Sequence, residues 1–130
     1  MSKFAPGQLW SYHARTCEDD SRIRILRVDV TERSGVIVHV AVEGVAIHNP
    51  ADPQHPTRTI GFMPIAEAAL DESVTHLVAQ DDFFVPSADF EGGYAGWKSA
   101  FDSGKAGFWT APVAKVVQTV DDDLRLRQSQ

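Results

Sequence analysis

His39 is the residue whose surroundings most suggest chemistry. It interrupts Val36-Ile-Val-His-Val-Ala-Val, a run that is otherwise aliphatic. An imidazole among branched side chains is either a proton carrier or a core-edge group bonded to a neighbour, and the second role makes fewer demands. Catalysis would need companions. Arg15 would fix an anion, with Tyr12 and Trp97 completing one concavity in a small ligand-binding barrel or enzyme.

The remaining candidates are weaker. His48, Asp52 and His55 share a proline-rich stretch and would have to converge to hold a metal, but none of the five histidines shows a short ligand spacing. An ordinary exposed loop explains them. Cys17 is the single cysteine; Glu18, Asp19 and Asp20 beside it oppose the thiolate a nucleophile requires, so it reads as a turn thiol. Gly104-Lys105 fails the phosphate-loop pattern, because Ser99 and Ala106 occupy the positions that need Gly and Ser or Thr. Gly104 reads as a helix stop. Glu72 and His76 have the spacing of a helical ion pair. Asp81 and Asp82 are candidate paired acids or cation ligands. The sequence assigns no catalytic residue, metal or cofactor, and favours a binding role over an enzyme.

Charge distribution gives a stronger signal. Between Thr59 and Trp97 lie seven carboxylates (Glu67, Asp71, Glu72, Asp81, Asp82, Asp89 and Glu91) and no Lys or Arg, whereas six of the twelve basic residues fall within the first 34 positions. Such a segment steers a cationic partner. The formal net charge of −6 argues against nucleic acid, which requires clustered Lys and Arg. Aromatic side chains near the acids, Tyr94 and Trp97 above all, suit an interface. Asp81, Asp82, Asp89, Tyr94 and Trp97 are therefore the expected binding residues for a basic protein.

These residues must be carried by one domain, since 130 residues with 43% hydrophobic content support one core. The start lacks a signal-peptide pattern, and no apolar run approaches the about 20 residues that cross a bilayer, so a soluble cytoplasmic protein is expected. Leu9–Arg15 alternates as a strand with Trp10 and Tyr12 on one face. In Arg22–Val28 the inward parity changes at Leu26, which predicts a bulge. Val36–Val42 reads as a central strand and Thr57–Phe62 as a fourth. Apolar spacing after Pro64 predicts a helix to about Ala79, and a second is expected over 94–103. Asp81–Gly93 reads as an irregular connection, aromatic enough to pack partly on the core. Gly107–Thr110 and then Val113–Val120 read as one or two closing segments, interrupted by Pro112. The expectation is a single α+β domain over 1–120, a strongly curved, mostly antiparallel meander forming a partly closed small barrel. Two helices precede its last strand, and a polar tail occupies 121–130.

Phe4-x-Pro6-Gly7-Gln8-x-Trp10-x-Tyr12-x-x-Arg15, with Glu91-Gly-Gly-Tyr94-x-x-Trp97-Lys98, resembles a family of single-domain bacterial proteins without assigned activity. That resemblance covers most of the chain and transfers no catalytic residue. The Pro-Gly-Gln-x-Trp opening is also similar to the first strand of small-barrel toxin endoribonucleases of the MazF/PemK type. That likeness implies RNA binding, whereas the charge balance implies a basic protein partner. The leading expectation is a protein-interaction module with an acidic, aromatic-rich face that masks a basic partner, as immunity or antitoxin-like proteins do. The alternatives are the Tyr12, Arg15, His39 and Trp97 pocket and a self-associating structural protein.

Overall fold

A computed structural model describes residues 2–128. Strands β1 (Gln8–Tyr12), β2 (Arg22–Thr31), β3 (Gly35–Ile47), β4 (Thr57–Ala66) and β5 (Val74–Gln80) form an antiparallel sheet in the order β4-β3-β2-β1-β5. Helices α1 (Glu67–Ser73), α2 (Ala88–Asp102) and α3 (Val113–Gln128) complete an α+β architecture. The sheet is not closed into a barrel: β4 and β5 are its two edges.

Strand alternation creates two cores. Along β3, Val38, Val40 and Val42 face the main core with Leu70 of α1 and Val113, Val116 and Val117 of α3. Ala41 packs on the opposite side with Leu26, Phe62, Phe90, Tyr94 and Trp97, and His39 shares its parity and its aromatic neighbours. The sheet is thus covered by α1 and α3 on one face and by α2 on the other.

The parity change in β2 is a register shift between Ile25 and Arg27. Ile23 and Ile25 lie in the main core, whereas Leu26 packs in the smaller one. Without the extra residue, Arg27 and Asp29 would keep the parity of Ile25. The bulge instead turns them toward α2, where they meet His39.

Three elements differ from expectation. The helix predicted from Pro64 to Ala79 is the end of β4, a seven-residue α1 and strand β5. Pro64 is tolerated because β4 is an edge strand, and β5 gains a hydrogen-bonded ladder with β1 that outweighs its helical apolar spacing. Second, α2 begins at Ala88, within the expected irregular connection; Ser87 caps it by accepting the Phe90 N–H. It ends as predicted at Gly104, whose φ is 74°, with Gly104 N–H donating to Phe101 O and Lys105 N–H to Ala100 O.

Third, the predicted closing segment over 113–120 lies in α3. Val113, Val116, Val117, Val120 and Leu124 follow helical spacing and all contribute to the main core, overriding the β propensity of valine. Residues 121–128, expected as a tail, are its last turns, with Asp121–Arg125 and Asp123–Arg127 pairs four residues apart. Residues 129 and 130 of that expected tail lie outside the described residues. Trp109 bridges Ile65, donating its N–H to Pro64 O and accepting from Ala66 N–H, so it covers the end of the β4 edge. Among the described residues, no helix is long and apolar enough to cross a membrane.

Gly7 seats the turn after β5. Its φ is 93°, and a Cβ there would lie 2.4 Å from Asp81 O and 2.8 Å from Phe84 Cβ. The Gly7 carbonyl also accepts from Asp81 N–H and Arg24 Nη1. Gly7→Ala is expected to destabilise the fold by about 2 kcal/mol and to loosen 81–84, as urea titration with amide exchange would show.

Candidate functional site

Asp29 organises the α2 side of the sheet. Its Oδ2 accepts from Tyr94 Oη at 2.8 Å and His39 Nε2 at 3.0 Å, and its Oδ1 accepts from Arg27 Nε at 2.9 Å. The Arg27 guanidinium lies 4.4 Å from the Tyr94 ring centre. The His39 ring meets Tyr94 and Trp97 edge-on, at centroid distances of 5.0 and 4.8 Å. Burial pushes the Asp29 carboxyl up, but hydrogen bonds from Tyr94, Arg27 and His39 outweigh it and hold the pKa below its ordinary value.

A carboxylate accepts only, so His39 presents Nε2–H to Asp29 and leaves Nδ1 as a lone pair. Among the described residues that buried nitrogen has no hydrogen-bond partner, and the side chain is fully buried. Burial lowers the His39 pKa, against the opposing effect of Asp29. A carboxylate bonded to a neutral imidazole can relay a proton, but the His39 side chain is fully buried against Tyr94 and Trp97. It works as a polar pin that orients α2.

The same burial makes folding sensitive to pH. A group whose folded pKa is depressed below about 6.5 binds fewer protons folded than unfolded in the intervening window. Its stabilising contribution is complete above that window and is lost as the pH falls through it. Urea midpoints measured from about pH 7.5 down to about pH 5.5 are expected to fall in the wild type and to change less in His39→Gln.

Arg15 and Tyr12 lie on the opposite side of the sheet from His39. Tyr12 belongs to the main core and its hydroxyl bonds Ser21 Oγ at 2.7 Å. Arg15 reaches Glu18 at 2.8 and 2.6 Å, Asp121 of α3 at 3.2 Å and Ala46 O at 3.1 Å. The expected pocket of Tyr12, Arg15, His39 and Trp97 is therefore divided by the sheet, and only His39 and Trp97 meet. Internal carboxylates engage Arg15, and the Glu18 hydrogen bond raises its pKa further above the ordinary value.

The residues expected at the binding face also separate. Tyr94 is buried on the sheet-facing side of α2, and Trp97 is half-buried with its Nε1 donating to Gly107 O at 2.8 Å. Asp81 and Asp82 are exposed and follow a strand, so no helix C-terminus disfavours them. Asp81 Oδ1 accepts the Phe83 N–H at 3.0 Å. Asp89 is exposed in the first turn of α2, where an anion suits the helix dipole. Glu72 and His76 share no helix; His76 is in β5, with Nδ1 3.0 Å from Ser11 Oγ.

Sequence reasoning missed the apolar groups beside these acids. Leu77 and Val78 of β5 are 44% and 45% exposed, and Phe83 and Val85 in the next turn are 92% and 81% exposed. Only neighbours Phe84 and Phe90 of that aromatic stretch pack inward. The available signal was β5 itself, whose Val-Thr-His-Leu-Val-Ala-Gln sequence alternates poorly for a core strand.

In the proline loop, His55 Nδ1 lies 2.7 Å from Asp52 Oδ2 in an exposed turn, while the His48 N–H donates to Asp121 Oδ1. Among the described residues, no three His, Cys, Asp or Glu side chains gather as a metal-holding group. Cys17 is exposed at a φ of 71°. The chain matches no protein-family model, no curated protein and no solved structure.

Proposed function

We propose that the chain is a protein-interaction module that binds and masks a basic protein through the acidic segment 71–91. The observation that carries this reading is the exposure of Leu77, Val78, Phe83 and Val85 within a segment bearing Asp71, Glu72, Asp81, Asp82, Asp89 and Glu91 and no Lys or Arg. Exposed apolar groups provide contact area, and surrounding carboxylates select a cationic partner and accelerate encounter. The action resembles that of immunity and antitoxin-like proteins. A single thiol suits the reducing cytoplasm.

This reading replaces the aromatic face expected at Tyr94 and Trp97 with one at β5 and Phe83. Its test is a tagged capture from lysate eluted by a salt gradient. The expected result is a basic protein released at moderate salt, with about tenfold weaker capture by the Asp81→Asn, Asp82→Asn, Asp89→Asn triple variant. Its melting temperature should change little, since all three side chains are exposed. Salt-insensitive capture, or equal loss of binding and stability, would count against the proposal.

A further inference from the structure

We infer that the free edge of β5 takes up an extended segment of the partner as a sixth strand, with apolar residues at the segment's centre and Lys or Arg at both ends. This rests on the interaction-module reading and specifies its mode. Among the described residues β5 pairs with β1 alone, and residues 75–80 are all exposed. Main-chain groups along its outer edge can therefore meet an incoming strand. Two register shifts against β1 make the edge irregular, but it carries none of the Lys, Arg or Pro residues that commonly block such pairing. The opposite edge differs: β4 contains Arg58 and Pro64, and Trp109 bridges its end.

Charge identifies the occupant. Glu72 and Asp71, the latter ion-paired with Lys3, stand just before β5, and Asp81 and Asp82 just after it. A second copy pairing antiparallel about Leu77 would set Glu72 opposite the copy's Asp82 at both ends, with like charges facing across the junction. A segment with basic ends would meet opposite charges in either strand direction. Its central side chains would cover Leu77 and Val78, while Phe83 and Val85 extend the apolar surface beyond the strand.

The test titrates the isotope-labelled full chain with a synthetic peptide of about nine residues, alternating Val and Thr at the centre and carrying Lys or Arg at both ends. Amide exchange in 74–80 is expected to slow at least about tenfold, with little change in α3. Methylating alternate peptide nitrogens keeps its charges and side chains but removes donors, and should weaken binding by about tenfold or more. Leu77→Lys, at a half-exposed position, should weaken it similarly. Equal affinity of the methylated peptide, protection confined to other elements, or peptide-independent β5 protection that grows with protein concentration would overturn strand addition. If these results occurred while lysate capture remained salt-sensitive and dependent on Asp81, Asp82 and Asp89, the interaction module would stand and only its mode would fall.

Discussion

Arg15→Met is expected to lower folding stability at neutral pH by about 4 kcal/mol, read as a fall in the urea midpoint. The side chains of Arg15, Glu18 and Asp121 are only 15%, 6% and 7% exposed. Glu18 also accepts Ala46 N–H at 2.7 Å, and Asp121 accepts His48 N–H at 2.7 Å. Removing the guanidinium leaves enclosed Glu18 without its ion-pair partner and Asp121 with Arg125 alone, whereas methionine retains much of the packing volume. The pH response should distinguish this loss from a cavity. In the wild type, burial raises both carboxyl pKa values, but hydrogen bonds from Arg15 and backbone N–H groups outweigh it and lower them. That stability is complete above the unfolded carboxyl range near pH 4 and is lost as the pH falls through the lower folded values. In Arg15→Met the folded values rise, so its deficit should shrink from about pH 7 to about pH 5. Adding Glu18→Gln and Asp121→Asn should recover much of the loss; an unchanged deficit would locate the damage elsewhere.

Asp29→Ala is expected to destabilise by about 3 kcal/mol and to loosen α2, because it strands His39 Nε2–H, Tyr94 O–H and Arg27 together. Near-UV circular dichroism should weaken, since Tyr94 and Trp97 lose their fixed packing against His39. Tyr94→Phe removes one donor and should have a smaller effect. Asp29→Ala with unchanged stability and aromatic signal would contradict the assigned organising role.

The contrast between β2 and β5 explains how much architecture was legible. The parity change at Leu26 required a bulge whatever neighbours it met, and alternation along β3 marked His39 as a break in an apolar strand. Neither named Asp29, because a bulge and nonlocal pairing create that contact. The 65–78 spacing fitted a helix, but Leu77 and Val78 are exposed on a strand paired with β1, an outcome governed by the far end of the chain. In α3, valine's strand propensity obscured the 113-116-117-120 spacing. The paired charges of 121, 125, 123 and 127 were the helical signal.

The candidate site divides similarly. The acidic segment was visible as composition, whereas its apolar contact groups became identifiable only when the placement of β5 exposed Leu77, Val78, Phe83 and Val85. Tyr94 and Trp97 were plausible interface residues by type, but the bulge that brings Asp29 beneath α2 commits Tyr94 to internal bonding. Arg15 similarly serves α3 rather than an external anion.

The most direct measurement is hydrogen–deuterium exchange of the full chain with and without the basic protein captured from lysate. Protection concentrated in 74–85 and reversed by moderate salt is the predicted result; protection centred on the β2–β3 turn or α3, with 74–85 unchanged, would contradict the acidic β5 surface as the binding face.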